Sequence, residues 1–408
     1  MKTILKLAAI LLTVCAAAPA QVVPQATAGP AILQYALRYS QSGVFQSGNQ
    51  TSWQTNASAE VDFANGFKRF PFNLNYGGGY TWSLDGPSYA TGLFQRLMIS
   101  QGYLGRRWNI LASDSVYYLP ESPTMGFSGI PGTGEPIGGT GSNPPSSQPI
   151  LTTNTSIVNN MTTGEVGLTL NNKTTLSVGG SSQILRFPDG NGLNTNAPTA
   201  NVGLTRRLDA RNSLTGQYSY SRFSYGGSNF TLEANTALAD YHRVWTRHLS
   251  TDASVGPQWI KSAGSAALPS STHISASAAL NYLFRSGSTS LSYNHQTSSG
   301  AGFLLGTTAD SVNAGYSREF GKDLSIGISG SYTRNTGLMN NQVINGKFGG
   351  VQATRRMGRY LSLFANYTAI DQSSSSSSPL QANVLNQLEQ VIAFGIGYTP
   401  RATHLNRH

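Results

Sequence analysis

Two-residue alternation of apolar with small or polar side chains runs through most of the chain and constrains its fold more than any other feature. The pattern is clearest near the two ends, in the apolar sets Leu33, Tyr35, Leu37 and Tyr39, and Ile392, Phe394, Ile396 and Tyr398. Successive side chains of a strand point to opposite faces of a sheet, so this spacing predicts β-strands with different surroundings on their two faces. Helical periodicity is nearly absent.

A longer repeat comes from short turns that contain basic residues or asparagine. From residues 171–173 onward these turns recur about every 36 to 38 residues. Each turn lies in the middle of a two-strand unit, and longer segments rich in serine, glycine and asparagine join the units, such as 224–229 and 371–383. One end of the molecule is therefore predicted to carry tight turns, and the other end longer loops.

That asymmetry is typical of an antiparallel transmembrane β-barrel of the bacterial outer membrane, with short periplasmic turns and long extracellular loops. We predict an all-β fold in which residues 33–400 form one barrel of about eighteen strands. Sixteen strands are the alternative, because 33–41 and 161–170 have the weakest patterns. A soluble sandwich or secreted β-helix also uses period two, but strands of about 11 to 13 residues with aromatic residues at their ends favour the barrel.

The first twenty residues indicate export. A basic start and an apolar stretch precede the small residues at 18–20, which predicts a signal peptide over 1–20 with cleavage before Gln21. The only cysteine, Cys15, lies inside that segment, so we expect no disulfide and no thiol chemistry in the mature chain. Residues 21–32 are predicted to be a periplasmic N-terminal segment, and the expected location is the cell outer membrane.

The chain is basic, but its charge is evenly spread. Two of the 27 Lys and Arg lie in the predicted signal, so 25 − 17 = +8 remains for the mature chain. Export and the regular spacing argue against nucleic acid as a partner. Many basic residues, including Arg206, Arg318 and Arg355, lie at predicted short turns. There they either attract anionic lipid or keep the hairpin ends polar. Outer-membrane lipid, including lipopolysaccharide, is the expected surrounding.

Residues 120–150 form the most conspicuous loop, with 7 Pro and 7 Gly in 31 positions. The loop follows the predicted fifth strand, 108–119, and the fourth and seventh strands are predicted over 92–104 and 174–186. Here the chain resembles the general bacterial porins, in which the loop after the fifth strand folds into the lumen and narrows it. The resemblance covers the architecture of the mature chain, and the two Pro/Glu pairs of the loop are similar to the acidic constriction segment of that family.

The resemblance implies a constriction made of opposed charges. Glu121 and Glu135 would face inward-pointing basic residues, for which Arg38 and Arg96 are the candidates. The neighbours of these arginines have the lipid-facing parity, namely Leu37, Tyr39, Leu97 and Ile99. Opposed charges of this kind would set a transverse field and an ion preference. In the alternative, the loop caps the barrel outside and both glutamates are solvated.

The end of the chain matches a barrel but departs from the porin pattern. Barrels of that family end on an aromatic residue, whereas here Tyr398 is followed by further polar chain, with residues 401–408 predicted to be a C-terminal tail. The alternating final strand still looks like the signal that barrel-assembly machinery recognises. That machinery is therefore an expected partner during biogenesis.

Catalytic chemistry is the weakest of the hypotheses. Residues 293–300 look like the His-x-Ser-Asn-Gly segment of outer-membrane phospholipase A, and His295 has the lipid-facing parity. Thr297 stands where the nucleophilic serine should be, and no polar partner that would orient His295 is evident. His404 and His408 are four residues apart without a helical pattern, so they predict no metal site. We expect no enzyme, no metal and no cofactor.

Strand number carries the functional prediction. Eight strands leave an interior filled by side chains, whereas sixteen to eighteen leave an aqueous channel unless a plug fills it. About twelve residues separate the predicted cleavage site from the first strand, too few for a plug domain. We expect a passive or weakly selective diffusion channel for small hydrophilic solutes. The alternatives are a structural or surface-interaction barrel without conductance, and a lipid-acting enzyme. The sequence leaves the oligomeric state open, a homo-oligomer included.

Overall fold

The computed structural model describes residues 31–46, 50–65, 69–85, 91–119, 156–190, 192–264, 269–300, 304–339, 341–375 and 387–405. Within them, antiparallel strands follow one another in chain order. The strands are β1 (Ala31–Gln46), β2 (Gln50–Asn65), β3 (Phe72–Asp85), β4 (Gly92–Leu104), β5 (Trp108–Leu119), β6 (Ile157–Asn171), β7 (Thr174–Arg186), β8 (Thr195–Arg207), β9 (Asn212–Tyr225), β10 (Thr231–Val244), β11 (Leu249–Ala263), β12 (Ser271–Phe284), β13 (Gly287–Ser298), β14 (Thr307–Phe320), β15 (Leu324–Gly337), β16 (Val343–Met357), β17 (Leu361–Ser374), β18 (Gln387–Tyr398) and β19 (Thr403–Leu405).

The sheet closes on itself, because β1 pairs with β2 on one side and with β18 on the other. The prediction of an eighteen-stranded, all-antiparallel barrel is confirmed, and the sixteen-stranded alternative is not needed. Closure pairs the last strand with the first, so the eighteen long strands present no free sheet edge along most of their length. No helix in the described part of the chain is long and apolar enough to cross a membrane.

The short strand β19 lies within the predicted C-terminal tail and extends the sheet at the start of β1. Its residues Thr403–Leu405 pair with Ala31–Leu33, whereas the ladder from β18 to β1 begins only at the pair Leu37 and Tyr398. β1 starts before the point where β18 reaches it, so its backbone would present an open edge there. The end of the chain covers that edge instead of forming a plain tail.

Predicted and observed strand limits agree best at the periplasmic side. Strands β4, β5 and β7 occupy the predicted ranges 92–104, 108–119 and 174–186. The largest differences lie at the opposite ends, where β1 continues to Gln46 and β6 already begins at Ile157. Strands that extend beyond the bilayer no longer need an apolar outer face, so alternation fades before pairing does.

The two faces of the barrel differ as the alternation predicts. Outward-facing apolar side chains are well exposed, and examples on separated strands are Leu37, Val255, Ile328 and Phe394. Aromatic residues such as Tyr80 and Trp82 also lie exposed on the outer face, near the strand ends opposite the short turns. An apolar outer band with aromatic residues at its margins is the surface that a bilayer requires of a barrel.

The short turns are built from glycine and from side-chain caps. Gly321 and Gly358 adopt φ angles of 68° and 82°, a region that favours glycine. In the turn before β9, Asp209 Oδ1 accepts hydrogen bonds from the backbone N–H of Arg211 at 2.7 Å and of Asn212 at 2.9 Å. These bonds, the one from Arg211 first, hold the pKa of the Asp209 carboxyl below its usual value.

An apolar cluster lies inside the barrel at the extracellular ends of β8 to β11. Its buried members are Ala197, Phe223, Tyr225, Phe230, Leu232, Ala234 and Ile260. Partly buried residues from the later connections pack against it, namely Leu305, Leu338 and Met339. The lumen is therefore narrowed at one side by a small core that resembles the interior of a soluble protein.

Candidate functional site

A charged group lies on the inner wall formed by β1 to β4. Glu60 of β2 is its centre, with a carboxylate oxygen 2.8 Å from Arg96 Nη2 and the other oxygen 3.5 Å from Arg38 Nη2. Only 5% of Glu60 is exposed. A carboxylate buried to this degree needs charged or hydrogen-bonding partners, because desolvation of an unpaired charge is costly.

The local sequence of β3 allows Arg96 of β4 to reach Glu60 of β2 across the intervening strand. Glu60, Gly77 and Arg96 occupy one row across β2, β3 and β4, with Gly77 between the other two. Because Gly77 carries no side chain, the Arg96 guanidinium can cross β3 to reach Glu60. A Cβ placed on Gly77 would lie 4.0 Å from Arg96 Nη2, so this position is already in contact distance of the crossing side chain.

Asn75, two residues before Gly77, links Glu60 to a second carboxylate. Its Nδ2 donates to Glu60 Oε1 at 2.9 Å and also to Asp62 Oδ1. The amide therefore satisfies two acids on the same strand while the arginines compensate the charge. Arg38, Glu60, Asp62, Asn75 and Arg96 are called the charged wall below.

With the charged wall included, the described inner face between the two rims carries mostly acidic charged residues. Carboxylates that alternate with outward-facing residues are Glu60, Asp62, Glu165, Asp240, Asp252 and Glu389. Of the described inward-facing guanidinium groups, those of Arg38 and Arg96 lie between the rims, whereas those of Arg207 and Arg356 lie at the periplasmic ends of β8 and β16. Most other described basic residues lie at the turns or face outward, for example Arg318 and Lys347. Between the rims, the described inner face therefore carries more carboxylates than guanidinium groups, although the chain is basic.

A histidine–carboxylate pair adds a second polar feature to the inner wall. His242 Nδ1 of β10 lies 2.6 Å from Asp252 Oδ1 of β11, and both side chains are partly exposed to the lumen. The two residues are cross-strand partners. Asp240 lies on the same face of β10.

The predicted site residues have different outcomes. Arg38 and Arg96 lie on the inner face, and the structure brings both to Glu60. Glu121 and Glu135, with the whole of loop 120–150, lie outside the described residues. Sequence reasoning missed Glu60, although it shares the inward parity of Asp62 and alternates with Val61. Its partnership depends on the register between strands, which a single-strand pattern does not give.

The structure corrects the prediction that His295 has no orienting partner. Its Nδ1 lies 2.6 Å from Asp310 Oδ1, which also accepts a hydrogen bond from the Tyr293 hydroxyl at 3.0 Å. Asp310 is the cross-strand partner of His295 on β14, fifteen residues away in sequence. The Thr297 hydroxyl, however, bonds to Gln258 Oε1 at 2.6 Å on the inner side of the barrel. Histidine and hydroxyl are thus not arranged for acyl transfer.

No protein-family model and no curated protein sequence matches the chain. Among solved structures, OccK2 (OpdF) of Pseudomonas aeruginosa is similar over 91% of this chain and 99% of its own, with 12% identity and a TM-score of 0.48. OccAB3 of Acinetobacter baumannii is similar over 90% and 99%, with 9% identity and a TM-score of 0.46. Pseudomonas aeruginosa OpdQ is similar over 90% and 98%, with 10% identity and a TM-score of 0.44. These likenesses concern the fold.

Proposed function

We propose that the protein is a passive diffusion channel of the outer membrane for small hydrophilic solutes. The observation that carries this proposal is the closed barrel of eighteen strands, with an apolar outer face and a polar inner wall. Barrels of sixteen to eighteen strands enclose enough space for an aqueous channel. A water-filled lumen also explains why charged side chains such as Asp240 and Asp252 face inward, where water solvates them.

The inner wall supports a weak preference for cations. Its carboxylates outnumber its guanidinium groups, and the charges of the two arginines are balanced by the two carboxylates of the charged wall, Glu60 and Asp62. In the sequence-based hypothesis Arg38 and Arg96 would face acids of the loop 120–150. In the present proposal their principal partner is Glu60 of β2. The lumenal potential then comes mainly from the carboxylates of the other strands.

The apolar cluster supports selection by size. It occupies the inner side of β8 to β11 at their extracellular ends, opposite in composition to the charged wall. Solutes that pass the barrel would therefore move along the polar part of the lumen, which is narrower than the full barrel. The second candidate function is a structural barrel without conductance. The apolar cluster favours this candidate if the polar part of the lumen beside it is closed to solutes.

Several associations follow from the proposal. A barrel of this kind resides in outer-membrane lipid, including lipopolysaccharide, and is inserted by the barrel-assembly machinery. Export would use the predicted signal peptide over 1–20. A homo-oligomer remains a hypothesis, for which the molecular mass in detergent is the direct measurement.

Liposome swelling tests the channel proposal. The mature protein is refolded into liposomes, and the swelling rate is recorded in neutral sugars of increasing size, in an amino sugar and in a sugar acid of matched size. We expect swelling that slows with solute size, and faster entry of the amino sugar than of the sugar acid. Liposomes without protein are the control. No swelling with a barrel that is shown to be folded by its heat-modifiable gel mobility would overturn the channel and favour the structural barrel.

A further inference from the structure

Two neighbouring strands of the barrel part before they end. The ladder between β12 and β13 stops at the pair Ala276 and His295. β12 nevertheless remains paired with β11 as far as Ser271, and β13 remains paired with β14 as far as Ser298. Residues 271–275 and 296–298, all described, therefore flank a break in the wall, called the lateral cleft below.

The end of β13 leaves the wall on the lumen side. The backbone N–H and the hydroxyl of Thr297 both donate to Gln258 Oε1, at 3.3 Å and 2.6 Å. Gln258 belongs to β11, two strands away, and it is buried on the inner face. The hydroxyl of Ser275, on the inner face of β12, donates to the backbone carbonyl of His295 at 3.3 Å. β13 can make these contacts only if its end crosses the inner face of β12.

The chain that follows continues inward. The Tyr225 hydroxyl of β9 donates to the backbone carbonyl of Ser299 at 3.1 Å. Gly306, at the start of β14, lies against the apolar cluster, since a Cβ placed on it would be 2.8 Å from Leu232 Cδ2. Residues 296–300 and 304–306 are called the inward segment. They pack against β9, β10 and β11, so among the described residues β12 has no strand partner on this side over residues 271–275.

On the outer side, the lateral cleft lies at the level of the extracellular aromatic residues. Thr272 pairs with the outward-facing Trp259 of β11, which marks this height. Ile274 is 65% exposed, more than any other large apolar side chain of the described outer surface. An open strand edge is not tolerated in the hydrocarbon core, but it is tolerated at headgroup level. The hydrogen-bonded group of Tyr293, His295 and Asp310 lies beside it on the same outer face.

We propose that the lateral cleft is a passage between the lumen and the outer leaflet for small amphipathic molecules. Its outer mouth combines the apolar Ile274 with the polar group around Asp310, and its inner mouth combines Ser275 and Gln258 with the apolar cluster. Transfer of a purely hydrophilic solute from the lumen into a bilayer is unfavourable. A purely apolar solute would desolvate the polar groups of the lining without replacing their hydrogen bonds. A molecule with a polar head and an apolar tail satisfies both kinds of lining.

Labelling of single cysteines from the lipid phase tests this passage. The only cysteine of the chain is at position 15, in the predicted signal, so the mature background would carry none. Ser275→Cys places a thiol at the inner mouth, at a position that is 7% exposed. Thr368→Cys is the matched control, because Thr368 faces inward on β17, is 4% exposed and is paired with both neighbouring strands. Ile274→Cys on the outer face serves as the positive control.

The probe is a phospholipid that carries a maleimide on its headgroup, mixed into vesicles that contain the folded barrel. Each rate is divided by the rate of the same variant with a water-soluble maleimide, which corrects for thiol reactivity and burial. We expect the normalised rate of Ser275→Cys to exceed that of Thr368→Cys at least tenfold and to approach that of Ile274→Cys. Equal normalised rates for Ser275→Cys and Thr368→Cys would overturn the passage.

A second variant tests whether the hydrogen bonds between Thr297 and Gln258 maintain the lateral cleft. Gln258→Leu removes the acceptor that holds Thr297 inside the barrel, so β13 is free to pair with β12 up to their ends. We expect the lipid-phase labelling of Ser275→Cys to fall several-fold in the Gln258→Leu background. Unchanged labelling there would contradict the anchoring of the cleft by Gln258. Sugar permeation enters none of these rates, so the passage and the axial channel fail independently.

Discussion

The inner wall of the barrel has two regions with opposite chemistry. On β1 to β4 it carries the charged wall, in which Glu60 lies between Arg38 and Arg96. At the extracellular ends of β8 to β11 it carries the apolar cluster around Leu232 and Tyr225. Both regions follow the same two-residue alternation, and both bury their inward side chains. They differ in what covers those side chains.

The difference shows two ways in which inward side chains of the wall can shape a lumen. The charged residues of the charged wall are paired within the wall itself, because Arg38 and Arg96 both contact Glu60. Apolar inward residues need a cover, which the chain supplies by leaving the wall as the inward segment. The charged region should therefore control ion preference, and the apolar region should control the width of the path and the position of the inward segment.

Replacement of Glu60 should have the largest effect. Glu60→Gln removes the carboxylate that both guanidinium groups contact, and loss of one partner in a buried ion pair costs about 3 to 5 kcal/mol. We expect a loss of free energy of unfolding near the lower end of that range, because the arginine side chains are partly exposed. Ion preference should also shift towards anions.

Denaturant unfolding in liposomes and the reversal potential under a salt gradient measure the two effects of Glu60→Gln. Glu165→Gln is the matched control, since Glu165 is an exposed inward carboxylate that forms no ion pair within the described residues. The control should change the free energy of unfolding by less than about 0.5 kcal/mol. Equal destabilisation by both substitutions would mean that the charged wall has no special role.

Truncation in the apolar cluster should come next. Leu232 is fully buried, and a buried Leu→Ala change costs about 2 to 5 kcal/mol. Leu232→Ala should lower the free energy of unfolding by about 3 kcal/mol and raise conductance, because Gly306 of the inward segment packs on Leu232. Ion preference should stay as in the wild type. Leu280→Ala, on the outer face, is the control with little effect, and a reversal potential altered by Leu232→Ala would contradict the division of roles.

A substitution at Gly77 should have an intermediate effect and test how Arg96 reaches Glu60. Gly77→Leu puts a side chain where the guanidinium crosses β3, and overpacking of this kind costs about 1 to 3 kcal/mol. Gly77→Ala should be tolerated, because its Cβ is at ordinary contact distance from Arg96. The free energies of unfolding of Gly77→Ala and Gly77→Leu, each compared with wild type, measure this difference. If alanine destabilises as much as leucine, the crossing of Arg96 is not the reason for glycine at this position.

The smallest effect is expected far from both regions, in the turn before β9. The pKa of Asp209 is lowered on folding, so its contribution to stability is present above the unfolded pKa and is lost as the pH falls through the folded value. Asp209→Ala should therefore lower the thermal unfolding midpoint slightly at neutral pH, and the difference from wild type should shrink below about pH 4. Asp209→Asn, which keeps one acceptor oxygen and does not titrate, should lose less stability than Asp209→Ala, but its difference from wild type should shrink over the same pH range.

Alternation alone predicted most of the fold, because a barrel in a bilayer separates its two faces so strongly. It located β4, β5 and β7 in full, and it failed at the extracellular end of β1, where Ser42 and Gly43 give no contrast between the faces. The short strand β19 was missed because pairing with β1, not any apolar pattern, makes residues 403–405 a strand.

The candidate site was only partly predictable. Parity placed Arg38 and Arg96 on the inner face, but Glu60 becomes their partner through the registers of β1 to β4, which sequence spacing does not fix. The same limit explains the missed contact between His295 and Asp310. Thr297 shows a further limit. Its parity predicts an outward side chain, yet the strand leaves the wall, and alternation says nothing about where that happens.

Single-channel recording of the mature wild-type protein tests the central claim most directly. The folded barrel is inserted into a planar bilayer under a tenfold potassium chloride gradient, and the step size and reversal potential are measured. The account predicts discrete current steps. It also predicts a reversal potential whose sign shows that potassium is more permeant than chloride, since carboxylates outnumber guanidinium groups on the described inner wall. Absence of steps from protein that is shown to be folded, or a reversal potential on the anion side, would contradict it.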